Sequence, residues 1–167
     1  LPQTEQAINS FKIPKSINDN GGQIRIFTPR YGLINERRHQ LHEVIRLSGM
    51  NLVINDMDTP LIIKVASIPK ERIQVYFIDN EDYFKRRGVL HDKKGELFSD
   101  NDERMIFFTK GVVETVKKLN WSPDIIHLHG WFTFGRSFES VERRMQQVRM
   151  VLGGRGYEQQ ARALHVA

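Results

Sequence analysis

The chain has 167 residues, with 25 Lys and Arg against 20 Asp and Glu, for a formal net charge of +5. That length makes one domain, or part of a larger one, and the mixed composition excludes a disordered or low-complexity chain. The absence of cysteine excludes disulfides, a thiol nucleophile and a thiolate metal site.

Residues 1 to 20 carry mixed helical signals. Ile8, Phe11 and Ile17 can share a face, Pro14 interrupts the pattern, and Gly21-Gly22 is a helix stop. Gln23 to Phe27 alternates Ile24 and Ile26 with polar partners, which predicts a strand, and Pro29-Arg30-Tyr31-Gly32 is a turn at its carboxyl end. Residues 41 to 78 read as a β-rich insert. Its short runs are Glu43 to Leu47, Asn51 to Asn55, Leu61 to Ala66 and Ile73 to Ile78, punctuated by Ser48-Gly49, Asp56 to Pro60 and Ile68-Pro69-Lys70. Spacing this tight predicts antiparallel hairpins. Tyr76-Phe77-Ile78 runs into Asp79-Asn80, polar residues at a strand end.

A helix is predicted from Asp100, capped by Asp100 or Asn101, with Ile106, Phe107, Val113, Val116 and Leu119 as its apolar face and Lys117-Lys118 at its carboxyl end. Pro123 stops it. Ile125, Ile126 and Leu128 form an apolar run too short for a helix, which reads as a buried parallel strand. The run ends in His127-Leu128-His129-Gly130-Trp131, and polar side chains at such a strand end face the place where open α/β sheets bind ligands.

After Trp131 the composition changes: there is no lysine after Lys118, no proline after Pro123 and no isoleucine after Ile126. Phe138, Val141, Met145, Val148 and Leu152 recur at helical spacing, predicting an amphipathic helix over 136 to 152, stopped by Gly153-Gly154 and followed by a second weak helix from Tyr157. The expected division is therefore a domain over 1–131 and an arginine-rich helical tail over 132–167, a tail that a frameshift, a fusion or an assembly error would explain. Leu1 in place of methionine implies that the natural start lies upstream. No signal peptide is visible, and no apolar run approaches the roughly eighteen residues of a membrane span, so a cytoplasmic protein with no membrane partner is expected.

Taken in order, these segments resemble the glycogen/starch synthases. The resemblance runs from Ile13 to Trp131 and rests on Ile13-Pro14-Lys15 with Gly21; on Ile24 to Phe27 with Pro29-Arg30-Tyr31-Gly32; on Tyr76 to Asn80 with Tyr83-Phe84 and Arg86 to Gly88; on Asp100-Asn101 with Arg104 and Phe107-Phe108; and on Pro123 to His129 with Trp131. The family fold implies α/β architecture of the GT-B glycosyltransferase kind: two Rossmann-like domains facing across a cleft. This chain would be an incomplete amino-terminal domain with a β-rich insert, then a helical tail. The implied activity is retaining transfer of glucose from ADP-glucose to an α-1,4-glucan, with those two as partners and no cofactor.

The resemblance also shows departures. The family's lysine-threonine-glycine-glycine-leucine loop falls on Pro2 to Gln6, where Pro2 replaces the lysine, Thr4 and Glu5 replace the glycines, and Glu5 would repel an anion. The first strand would precede Leu1. His129-Gly130-Trp131-Phe132 stands where the family has histidine-aspartate-tryptophan-histidine. Nothing matches beyond Trp131.

His129 is the candidate catalytic residue, facing substrate hydroxyls in the cleft; a satisfied histidine at a strand end is the plainer alternative. Trp131 is a sugar platform or a core residue. Tyr31, Arg30, Asp79 and Asn80 are candidate substrate contacts, with Arg30 pairing either phosphate or a carboxylate and Asp79-Asn80 otherwise a turn. His127 is assigned to structural hydrogen bonding. His127 and His129 are too few ligands for a metal, so none is expected. Asp100, Asn101 and Arg104 read as a cap and ion-pair set. The scattered basic pairs are solvated surface, so nucleic acid is not an expected partner, although the arginine-rich tail is the segment that would bind it. The alternative function is a non-catalytic glucan-binding module. A missing first strand would leave sheet surface open for self-association.

Overall fold

The computed structural model describes residues 5–129, 149–152 and 162–166. Helix α1, Glu5–Asp19, runs through Pro14 rather than breaking there. The proline removes one helical hydrogen bond, but it lies on the buried face, while Phe11 is exposed and Ile17 packs with Ile24, Ile26 and Ile73. Glu5 and Gln6 thus belong to a helix and not to a loop. The helix ends as the sequence predicts: the Gly21 N–H donates to the Asn18 carbonyl and the Gly22 N–H to that of Ile17, with Gly21 at φ 83°, where a side chain would be strained.

Strand β1, Gln23–Pro29, turns Ile24 and Ile26 to one face and Phe27 to the other. The expected strand at Glu43 to Leu47 shrinks to β2, His42–Glu43. The Leu47 and Ser48 N–H groups both donate to the Val44 carbonyl, curling the chain so that Leu47 enters the core and Ile45 faces solvent. β3, Met50–Ile54, and β4, Met57–Ser67, form a hairpin joined by Asn55 and Asp56, at φ 48° and 62°. Two successive left-handed residues are the geometry of a two-residue hairpin turn, which Asn and Asp tolerate. β4 therefore starts before Pro60, which sits where β4 pairs with β3 alone; from Ile62 onward β4 pairs with β5.

β5, Gln74–Asp79, is antiparallel to β4 but parallel to β1. The run at Ile73 to Ile78 is thus a strand of the main sheet as well as the last of the insert. Asn80 caps the short helix α2, Glu81–Phe84, accepting from the Tyr83 N–H. Helix α3, Asn101–Lys118, buries Phe107, Phe108, Val112 and Val116 on the sheet, with Ile106, Val113 and Leu119 partly buried around them. It approaches closely because of Gly111, whose missing Cβ would lie 2.7 Å from Ile78 Cγ2 and 3.2 Å from Leu61 Cδ1.

β6, Ile125–Leu128, is buried throughout. The predicted tail helices are overturned wherever the tail is described: Arg149–Leu152 is strand β7, parallel to β6, and Arg162–Val166 is strand β8. Residues 136–148 and 157–161 of those two predictions lie outside the described residues. The sheet order is β2-β4-β5-β1-β8-β6-β7, with β3 on β4. β8 lies between β1 and β6 and parallel to both, so the position expected to stand open is filled. The exposed apolar side chains Val53 and Met57 instead belong to the β3–β4 hairpin.

Candidate functional site

The parallel strands β5, β1, β8 and β6 end at one edge of the sheet, and every described candidate residue sits there. Pro29-Arg30-Tyr31 follows β1, Asp79-Asn80 closes β5, and His129 follows β6. Trp131 lies outside the described residues. In such sheets ligands bind beyond the carboxyl ends, where the strand order reverses. Here the chain runs outward from β1 to β5 on one side and from β6 to β7 on the other, so the order reverses between β1 and β6, where β8 lies, and His129 is beside that point, its N–H donating to the Val166 carbonyl at 2.7 Å.

His127 and His129 are one turn of the pleat apart, so their rings share a face. The ring centroids are 4.0 Å apart, and His129 Nε2 is 3.2 Å from His127 Nδ1, a bond in which one ring donates and the other accepts. Burial, and then the charge His129 would carry, pushes His127 down to about 4; burial also lowers His129. Both imidazoles are therefore neutral near pH 7. A neutral His129 can exchange hydrogen bonds with a sugar hydroxyl, but it does not offer a phosphate a full positive charge.

Two strand positions from β6 for Arg30 and three for Asp79 and Asn80, about 10 and 15 Å by inter-strand spacing, the other candidates form a charge cluster. Arg30 Nε donates to Asp79 Oδ1 at 3.0 Å and lies 3.3 Å from Glu36 Oε1; Lys64 Nζ lies 2.9 Å from Asp79 Oδ2 and 2.7 Å from Glu36 Oε1. Asp79 is 1% exposed and Arg30 4%. Arg30 thus takes carboxylates as partners, the second of the two readings. Asn80 is spent on the α2 cap and on the Pro60 carbonyl, 3.0 Å away. Arg30 and Asp79 thus join the ends of β1 and β5 through each other, Glu36 and Lys64, while the Asn80 side chain bonds to backbone.

Tyr31 is half-buried, edge-on to Phe84 at 6.2 Å, and burial raises its phenol so that it stays protonated. Its loop is clamped at Gly32, whose N–H donates to the Phe84 carbonyl at 2.7 Å and whose absent Cβ would lie 2.4 Å from the Arg86 carbonyl oxygen. No larger residue fits there without moving the backbone.

Asp100 occupies the position before α3 but makes no side-chain cap. Its carboxylate instead takes a two-pronged contact from Arg86, at 2.7 and 2.5 Å. Arg104 is fully buried: Nε donates to the Tyr83 carbonyl, another nitrogen to Asn101, and the guanidinium lies 5.5 and 5.1 Å from the ring centres of Phe84 and Phe98. This set ties α2 and the 85–99 loop to α3, an ion-pair and hydrogen-bond set as expected but without the expected cap. Lys64 and Glu36 were not predicted. The signal for Lys64 was present, a lone charge inside Leu61-Ile62-Ile63-Lys64-Val65-Ala66; Glu36 carries none. Two surface hollows of about 230 and 250 Å³ lie elsewhere, around Arg25 and Arg72 and around Arg87 and His91, and neither is lined by a predicted site residue. Among the described residues no three His, Asp or Glu side chains gather as a metal set, and no helix is long and apolar enough to cross a membrane.

The family described as Starch synthase catalytic domain matches residues 9–138, more than three quarters of the chain. The chain belongs to this family. The match extends past Trp131, where the sequence reading had ended it. Among curated relatives, the glycogen synthase of Chlorobium limicola is 43% identical over 120 residues, covering 71% of this chain and 24% of the relative. That of Chlorobaculum tepidum is 44% identical over 119 residues, with the same coverage. The chain thus spans about a quarter of the length of these relatives. The catalytic domain of Starch Synthase IV from Arabidopsis thaliana, bound to ADP and acarbose, superposes with a TM-score of 0.69 at 17% identity, over 89% of this chain and 30% of that one. That likeness establishes the fold: a mixed α/β sheet of the starch synthase kind, of which this chain is a partial domain.

Proposed function

We propose that this chain forms one wall of the cleft of a retaining glucosyltransferase, which moves glucose from ADP-glucose to the end of an α-1,4-glucan in glycogen or starch synthesis in the cytoplasm. The observation that carries the reading is the placement of His129 at the reversal point of a sheet whose sequence belongs to the starch synthase family. The fold neighbour's binding of ADP and acarbose supports a nucleotide and a sugar ligand.

In this reading neutral His129 contacts sugar hydroxyls, fixed by its bond to His127 and by the Val166 carbonyl. Tyr31 and Trp131 present aromatic faces to the glucan. Arg30, Asp79 and Asn80 act beneath them, holding the strand ends that carry Tyr31. Glycosyl transfer needs donor, acceptor and charge-stabilising groups held together, and the chain spans a quarter of its relatives. The chain alone is therefore expected to bind maltooligosaccharide weakly and to transfer no glucose from labelled ADP-glucose. Transfer into glucan by the purified chain would refute the incompleteness of the site. Binding without transfer is also what a glucan-binding module would show; loss of that binding in His129→Ala separates a cleft wall from such a module on another surface.

A further inference from the structure

At the amino ends of β1 and β5, opposite the edge that carries His129, lies the hollow of about 230 Å³ around Asn18, Gln23, Arg25, Arg72 and Gln74. Among its described lining residues there is no Asp or Glu. We propose that this hollow is an anion site that takes a phosphate dianion, free or as the terminal group of a small monoester.

Two arginines meet here without a carboxylate. Arg25 of β1 is the register partner of Gln74 of β5, and Arg72 stands two residues before Gln74. Arg25 Nη1 is shut off from solvent and makes no hydrogen bond. The guanidinium carbon lies 4.7 Å from the centre of the Trp121 ring and 5.9 Å from that of Tyr76. The rings hold and shield the cation, but a π face does not neutralise it. Arg72 is exposed and has no ion pair among the described residues. The acids beside Asn18 and Arg72 are engaged elsewhere: Asp19 and Glu71 both pair with Lys15, at 3.0 and 2.9 Å. An anion in the hollow would therefore meet two cations and no competing carboxylate.

The neighbouring amides add donors. Gln74 Oε1 accepts from the Tyr76 hydroxyl at 2.9 Å, and Gln23 Oε1 takes the Trp121 indole N–H at 3.5 Å. What each keeps for a ligand is chiefly its NH2 group, which only donates. The fork of a guanidinium matches phosphate oxygens in pairs. The volume falls below the roughly 300 Å³ at which drug-sized ligand pockets begin, which favours a phosphate group over a whole nucleotide. The hollow around Arg87 and His91 differs, because Asp92 is in its lining and its Arg86 is already held by Asp100.

The proposal concerns the edge away from His129 and is independent of the glucosyl-transfer reading. It is tested by titrating the full chain at about pH 7, where a phosphate monoester is mostly dianionic, with chloride holding the ionic strength constant. Inorganic phosphate and glycerol 3-phosphate are the probes. NMR follows the amides of Arg25, Arg72 and Gln74 and the Trp121 indole N–H. The expected result is a saturable shift of these groups with a Kd below about 10 mM for at least one probe; the tighter probe tells free phosphate from a monoester. Arg72→Gln removes an exposed charge, and Arg25→Lys keeps the charge but loses the fork. Each is expected to weaken binding at least about threefold, with the amide spectrum away from the hollow unchanged. The proposal is overturned if neither probe saturates in that range, or if both variants bind within threefold of the parent. Shifts centred on Arg87 and Lys93, or on His129, instead of on Arg25 and Arg72 would overturn it equally.

Discussion

His127 offers a quantitative test of how the site edge is built. Its imidazole is 1% exposed and held to about 4, against an ordinary value of 6.5. A histidine with a depressed folded pKa contributes stability above its unfolded value and loses it as pH falls toward the folded one. The unfolded chain takes up a proton near pH 6.5, while the folded chain refuses it until about pH 4. At 1.36 kcal/mol per pH unit, the fall across that window is about 3 kcal/mol. His129 shifts in the same direction and adds to it. Asp100, raised by burial but lowered further by Arg86, adds its own loss only at more acid pH. With a urea dependence of about 1–3 kcal/mol per molar, the unfolding midpoint should drop by roughly 1–3 M between pH 7 and pH 4. His127→Gln, which keeps a polar side chain and cannot titrate, should flatten most of that slope. The reasoning fails if the His127 ring titrates near 6.5 by NMR, or if parent and variant lose stability in parallel.

Two substitutions test the supports around the edge. Asp79→Asn removes the carboxylate between Arg30 and Lys64 and leaves a buried guanidinium short of its partner; the expected loss is about 3–5 kcal/mol in urea unfolding, and a loss under about 1 kcal/mol would mean that Glu36 alone satisfies both cations. Gly111→Val drives a side chain into Ile78 and Leu61; an expected loss of about 1–3 kcal/mol measures how closely α3 is seated, and an unchanged midpoint would contradict that contact.

Much of the α/β framework was legible because its signals are local. Gly21-Gly22, the alternation of Ile24 and Ile26, and the apolar Ile125, Ile126 and Leu128 each dictate an element without reference to the rest of the fold. The errors came where partners decide. Glu43 to Leu47 has strand-forming residues, but the Val44 carbonyl accepts two N–H groups and curls the chain. Pro60 looked like a boundary, yet it sits in β4 where only β3 pairs with that strand. Val148 and Leu152 fit a helical period, whereas Met150, Val151 and Leu152 form a run that β6 recruits as a strand. Asp100 has the residue type of a cap, but Arg86 offers its carboxylate a charged partner.

The positions of His129, Tyr31 and Arg30 just beyond strand ends were legible because strand ends can be placed from sequence. The roles of Arg30, Asp79 and Asn80 were not, because they depend on Lys64, Glu36 and Pro60, which other segments bring in. The arginine-only composition after Lys118 suggested a boundary, since composition carries no information about where Arg162–Val166 docks.

The central claim is that the carboxyl edge of this sheet is a sugar-binding wall with His129 on it. The most direct measurement is an amide NMR titration of the full chain with maltooligosaccharide. The account predicts saturable shifts at Tyr31 and His129, abolished in His129→Ala while the β3–β4 hairpin stays unperturbed; shifts confined to that hairpin, or none at the carboxyl edge, would contradict it.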